Sequence, residues 1–402
     1  MRTLVISDLH LGSVGRADVL RDPLPREPLL AALAGADRLV LLGDALELRH
    51  GPRHTAMAAA RPFFEELGRA MEGGEIVLVP GNHDHALLAQ WLAARSELSH
   101  TAPLALEQRL EPWEGSQLLG TIAEWAAPAR LSCAYPGVWL RSDIYVTHGH
   151  YLDNHLTVPT IERLALAVMA RMLHRSADAL RSVSDYESVS APVFAWIDAI
   201  ARHGHTGAAF NGSATVNMWQ ALGGADGRRP ASGARPAPGS PPAPGRRARL
   251  DARALAAGAR RRALIGGFPV AVAALNRAGL GPLSADISGA ELRRAGLRAM
   301  GEVAARLGLG DAHVIFGHTH RAGPLARDDP REWRAAGGAR LINCGSWTYS
   351  ANFLRGASPD HPYWPGGCVI VEDRGAPTLV RLLGGLGRTE LAPAARATAA
   401  SG

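Results

Sequence analysis

Short apolar runs, each closed by a turn-forming or polar residue, punctuate the first 150 residues. Thr3–Ile6, Arg38–Leu42, Ile76–Val79 and Ile144–Thr147 carry the β-branched and leucine content that predicts strands. Between them, 55–72 and 85–95 have the longer polar–apolar mix of helices. This alternation predicts an α/β core with helices covering a sheet. The strand pattern resumes at His313–Phe316, Arg340–Asn343 and Cys368–Val371.

The stretch 151–310 has a different period. Thr160 is a candidate N-cap, and Ile161, Leu164, Val168 and Met172 recur at helical spacing after it. Two further helical stretches cover about 190–203 and 290–308. Between them, about 225–250 is so rich in Pro, Gly, Ala and Arg that it predicts a disordered loop. The expected organisation is a core made of 1–150 and 311–388, a helical insertion over 151–310 forming a cap, and a flexible tail over 389–402.

Composition narrows the partners. All 43 basic residues among the 402 are Arg. A compositional bias of that kind weakens any inference from net charge, and no basic stripe interleaved with aromatics marks a nucleic-acid surface. The basic excess is local: 151–310 holds 20 Arg against 11 acidic residues, the rest 23 against 26. Cys133, Cys344 and Cys368 lack paired or metal-knuckle spacing, which predicts reduced thiols in a cytoplasmic protein. No signal peptide is expected, since the sequence runs straight into the strand-like "RTLVISDLH". The longest apolar stretch, Ala263 to Leu275, is 13 residues, too short for a bilayer.

The strand ends carry the chemistry. Asp8 and His10 follow the first strand, Asp44 the second, and Asn82, His83 and Asp84 the third. His148 follows the fourth, and His318 and His320 follow the strand that begins at His313. Carboxyl ends of strands in an α/β sheet share one edge, so these side chains converge. Glycines before Asp44, Asn82 and His318 allow sharp turns and close approach. In an extended segment, i and i+2 side chains share a face, so Asp8/His10 and His318/His320 each form a pincer. Oxygen and imidazole donors without thiolate suit Mn, Fe, Co or Zn. Seven donors are too many for one ion and suit two.

In order, "DLH", "GD", "GNHD", "THGH" and "GHTH" resemble the five motifs of the calcineurin-like metallophosphoesterase superfamily, over 1–150 and about 311–350, with "NCGSW" as the turn after the last motif. The resemblance implies a four-layer αββα sandwich and two divalent metal ions, with Mn favoured. It implies that Asp8, His10 and His320 hold one ion, that Asn82, His148 and His318 hold the other, and that Asp44 bridges. Two ions roughly 3.5–4 Å apart acidify a bridging water and clamp phosphate oxygens. The resulting hydroxide would cleave a phosphoester or pyrophosphate bond, with His83 as general acid and Asp84 orienting it. "GDALEL" and "VTHGHYLD" are most similar to the branch that includes bacterial UDP-diacylglucosamine pyrophosphohydrolases. That branch usually carries Arg where this chain has His83, and a smaller insertion, so the reaction class carries over and the lipid does not.

The substrate expected is a phosphorylated small molecule or a lipid-linked phosphate. A nuclease or nucleic-acid phosphodiesterase on the same core is the alternative. Arg171, Arg175 and Arg202 are candidates to grip phosphate. Tyr151, Asp153, Asn154 and His155 are candidates to line the mouth. "RHGHTG" (Arg202 to Gly207) imitates the last motif without its strand and reads as cap sequence. The basic and apolar run from Arg260 to Leu275 could touch a membrane surface or form a buried cap element.

Overall fold

The computed structural model describes residues 1–97, 102–202, 267–350, 354 and 356–392. Ten strands hydrogen-bond in the order β10-β9-β1-β2-β3-β5-β6-β7-β8, with β4 paired to β5. They are β1 (Thr3–Ile6), β2 (Arg38–Leu42), β3 (Glu75–Val79), β4 (Glu107–Leu110), β5 (Arg130–Arg141), β6 (Ile144–Thr147), β7 (His313–Phe316), β8 (Arg340–Asn343), β9 (Gly367–Val371) and β10 (Thr378–Arg381).

β5 makes two half-sheets out of this order. Its first residues pair in parallel with β3, and its last pair antiparallel with β6. The halves face each other across Val5, Val40, Leu42, Val77 and Val79 from one and Val146, Ile315 and Ile342 from the other, all buried. β1, β2 and β3 are parallel neighbours, as are β6, β7 and β8. Strands buried on both faces need continuous Val/Ile/Leu runs, which is why the sequence marks them.

Helices close both outer faces, giving four layers. α1 (Pro23–Leu33), α2 (Arg53–Ala70) and α5 (Gln117–Trp125) bury Leu29, Phe63, Phe64 and Ile122 against the first half-sheet. α3 (Ala89–Glu97) and α4 (Pro112–Gly115) flank them. On the second half-sheet, α6 (Ile161–Met172), α7 (Val183–Arg202) and α8 (Gly289–Arg306) bury Leu166, Val189, Met300 and Val303 with Tyr145, Val314 and Phe316.

Helices of the expected insertion pack directly on the second half-sheet. The described helices of 151–310 do not stand apart from the core, because they supply its fourth layer. Burial in α6 falls on Arg163, Leu166 and Ala167. Of the stripe that the spacing favoured, Ile161 and Leu164 are half-buried, and Val168 and Met172 point outward, 45% and 69% exposed. Thr160 does cap the helix, its side chain accepting from the Arg163 N–H. The tail expected from 389 opens with a helical turn, α9 (Arg388–Leu391), whose Leu391 is fully buried. The loop over 225–250, and all but Arg202 of the imitation motif, lie outside the described residues. Among the described residues no helix is long and apolar enough to cross a membrane.

Candidate metal centre

Five strand-end loops meet at one edge. Asp8 N–H donates to the Gly43 carbonyl at 3.1 Å, His10 N–H to Asp44 at 2.8 Å, and Gly317 N–H to His148 at 3.0 Å. The last loop joins the first through the His318 N–H and Asp8 Oδ2 at 2.9 Å. In the "NCGSW" turn, buried Trp347 donates its N–H to the Asp8 carbonyl at 3.0 Å.

The backbone of this edge is unusual. Asp8, His10, Asp44, His318 and His320 all have φ between 46° and 64°. L-residues with a Cβ seldom adopt that left-handed conformation, and such strain collects at functional sites. The pincers therefore arise from left-handed turns and not from the extended backbone expected. The glycines act mainly through space. A Cβ on Gly43 would overlap the His148 ring, one on Gly81 would overlap Asp44 Oδ1, and one on Gly317 would overlap Ser7 and Asp8.

The side chains gather into two groups. Donor atoms of Asp8, His10 and His320 lie within 4.8 Å of one another, and so do those of Asp44, His148 and His318. Asn82 Oδ1 adds to the second group, 3.1 Å from His148 Nε2. Asp44 Oδ2 reaches both, at 3.3 Å from His148 Nε2 and 3.7 Å from His10 Nε2.

The chemistry of these donors fits a cation. His148 Nδ1 donates to the Leu42 carbonyl at 3.0 Å, and a carbonyl can only accept. The neutral ring then turns the Nε2 lone pair toward Asn82 Oδ1 and Asp44 Oδ2, three electron-rich atoms facing one point. His10 Nδ1 likewise contacts Glu47 at 3.1 Å, leaving Nε2 opposite His320 Nε2 at 3.2 Å. Buried Asp8 Oδ1 lies beside them, 3.2 Å from His320 Nε2. An outer hydrogen bond that fixes the tautomer is how proteins orient metal-binding imidazoles.

Electrostatics tell the same story. Burial disfavours a charged His148, yet Asp44 and Asp8 outweigh it and hold its pKa at about 10. Burial also opposes charge on His10, but Glu47, Asp44 and Asp8 raise it to about 9. Burial pushes Asp8 up, and His320 and His148 pull it down to about 2. A positive charge belongs among these groups, and a divalent ion can take the place of the protons.

His83 gathers with members of both groups: its donor atom lies within 4.8 Å of those of His10 and Asp44, and of those of Glu47 and His50. Its N–H donates to Asp44 Oδ1 at 2.8 Å, and its Nδ1 lies 2.9 Å from Glu47 Oε2. Burial lowers its pKa to about 4 against the attraction of Glu47 and Asp44. Asp84 does not orient this ring, contrary to expectation. Its carboxylate accepts from the backbone N–H groups of Gly81 at 2.6 Å and Ala45 at 2.7 Å, tying the "GD" loop to the "GNHD" loop. Burial, then Asp44, raises it to about 6.

Glu47 is the residue that the sequence reading passed over. It meets His10, His83 and, at 3.0 Å, His50. Its signal was a carboxylate three positions after Asp44, hidden between two leucines. Among the mouth candidates, Asp153 Oδ2 contacts His318 Nε2 at 2.9 Å. His155 contacts the Tyr186 hydroxyl, and Asn154 donates to the Tyr151 carbonyl. Two of the three expected phosphate grips have other surroundings. Arg175 pairs with Asp185, Arg171 lines a groove with Val168, Met172 and Leu280, and the Arg202 side chain lies outside the description.

Acidic and imidazole donors gathered at the carboxyl edge of a four-layer α/β sandwich define a metal-dependent phosphoesterase. The chain belongs to the calcineurin-like phosphoesterase family, whose model matches residues 1–206. The match ends before His318 and His320, which the fold returns to the same edge. No curated protein matches the sequence.

Proposed function

We propose that the protein hydrolyses a phosphoester or pyrophosphate bond of a phosphorylated small molecule or lipid-linked phosphate, using two divalent cations, with manganese favoured. Asp8, His10 and His320 would hold one cation, Asn82, His148 and His318 the other, and Asp44 would serve both. Two such cations polarise phosphoryl oxygens and acidify water between them. The single observation that carries this reading is the pair of donor groups that share Asp44.

The chain's own residues then have distinct tasks. Glu47 fixes two rings at once through their Nδ1 atoms, and would so present His10 Nε2 to a cation and His83 Nε2 to the leaving oxygen. His83 is the general acid, and it gives up its proton from Nε2. Only its charged form can donate, and burial disfavours that form more than Glu47 and Asp44 favour it, so the acid acts through a minor protonated population that the developing charge of the leaving oxygen draws on. Asp84 acts through the backbone, holding the Asp44 and Asn82 loops in register.

The test is hydrolysis of bis-p-nitrophenyl phosphate and p-nitrophenyl phosphate by manganese-loaded protein. The reading predicts turnover that Asp44→Ala abolishes. It fails if neither ester is cleaved, or if Asp44→Ala and His83→Ala leave turnover as it was.

A further inference from the structure

Three imidazoles surround one carboxylate beside the metal edge. Glu47 Oε2 meets His10 Nδ1 at 3.1 Å, and Oε1 meets His83 Nδ1 and His50 Nδ1, each at 3.0 Å. His10 belongs to the dinuclear centre, whereas His50 has no task there. It stands in the short link between the Asp44–Glu47 turn and α2. The centres of the His50 and His83 rings are 5.3 Å apart. Donor atoms of Glu47, His50 and His83 all lie within 4.8 Å of one another.

This spacing suits a small cation. Zinc binds imidazole nitrogen and carboxylate oxygen at about 2.0–2.2 Å, so donors at the corners of a tetrahedron lie roughly 3.3 Å from one another. The two Oε1–Nδ1 separations of 3.0 Å need only a slight spreading to admit the ion. Two imidazoles and one carboxylate form a borderline donor set, on which zinc outranks manganese. The side chains of His50 and His83 are 15% and 14% exposed, which gives an ion a route from solvent. Glu47 Oε2 can stay with His10 while Oε1 turns to the new ion. Two resident cations repel a third, so this place fills last, as free zinc rises.

We propose that Glu47, His50 and His83 form a third metal site, one that takes zinc and inhibits the enzyme. Zinc binds the Nδ1 lone pair of each ring, and each ring stays neutral with its proton on Nε2. On His83, Nε2 is the atom that faces the leaving oxygen in the reading above. A neutral imidazole gives up a proton far less readily than an imidazolium, so the bound ion silences the general acid. The inhibition rests on the phosphohydrolase reading, and the site itself does not.

The experiment counts zinc bound to the full chain across a series of buffered free-zinc concentrations. The same samples are assayed with an alkyl phosphoester that the protein cleaves and with bis-p-nitrophenyl phosphate. Wild type should hold two ions at low free zinc and three at high. His50→Asn keeps an N–H near the place of Nδ1 without a nitrogen lone pair, and should stop at two. Filling the third place should lower kcat/KM for the alkyl ester by about 10-fold or more, and far less for bis-p-nitrophenyl phosphate, whose leaving group needs little protonation. His50→Asn should hold its alkyl-ester rate through the same series. A wild type that stops at two ions, or a third ion that His50→Asn retains, overturns the site. If His50→Asn does not fold, His50→Gln carries the same readouts. A third ion lost in His50→Asn, with no ester cleaved by either protein, supports the site and sinks the hydrolase reading. Equal loss of alkyl-ester turnover in wild type and His50→Asn as zinc rises overturns the inhibition.

Discussion

The two donor groups are held differently. Around His148 the structure is closed. The ring is 0% exposed, the Leu42 carbonyl fixes its tautomer, and Gly43 and Gly81 press so close that no Cβ fits. Around His320 it is open. The ring is 35% exposed, and only the Thr348 hydroxyl, at 3.3 Å, steadies its Nδ1. Burial preorganises the His148 group, whereas the His320 group keeps a path to water. Asp44, between them, is what makes the pair one site.

The largest expected effect comes from removing that link. Asp44→Ala should lower kcat/KM for bis-p-nitrophenyl phosphate by more than about 10³-fold, since both cations lose several kcal/mol of transition-state stabilisation. A loss below 10-fold would mean that the groups act independently. Next is His83, which should matter according to the leaving group. Replacing it with Ala should cost roughly 10²–10⁴-fold on an alkyl ester. On a p-nitrophenyl ester, whose leaving group needs little protonation, the loss should be far smaller. Equal losses would assign His83 to positioning instead.

Glu47 sharpens the comparison from the open side, because it braces His10 and touches no residue of the closed group except through Asp44. Glu47→Gln should weaken the affinity of one manganese ion by about 10–100-fold, read by calorimetry, and leave the other close to its original value. Uniform weakening of both would contradict the split. Smallest is Thr160→Ala at the start of α6. It should cost about 1 kcal/mol of unfolding free energy and leave kcat/KM unchanged. A change in kcat/KM would couple the fourth layer to catalysis.

The closed and open groups were equally legible in the sequence, because β1, β2, β3, β6 and β7 each end an apolar run just before a donor. β1, β2, β6, β7 and β8 have the bounds that the runs predict, and β3 and β9 each begin one residue earlier. β5 was not legible. Pro136 and Gly137 interrupt "RLSCAYPGVWLR", and a strand that leaves one half-sheet for the other carries no single alternation. The face of α6 misled because Leu164 and Val168 compete with Leu166 and Ala167 for the inner side, and only the packing of α7 and the loop at Tyr151 decides it. Left-handed φ at five donors runs against residue preference, so no rule from sequence points to it. Glu47 was obscure for a related reason. Its partners His83 and His10 come from segments 36 and 37 residues distant, and only the fold reveals what the side chain meets.

The central claim is a site for two ions with one shared carboxylate. Its most direct test is the metal content of manganese-loaded protein after removal of loosely bound ions, for wild type, His320→Ala and His148→Ala. The account predicts two ions per chain in the wild type and one in each variant, with the ion that remains in His320→Ala exchanging more slowly than the one in His148→Ala. One ion or fewer in the wild type, or loss of both ions on removing His320 alone, would contradict it.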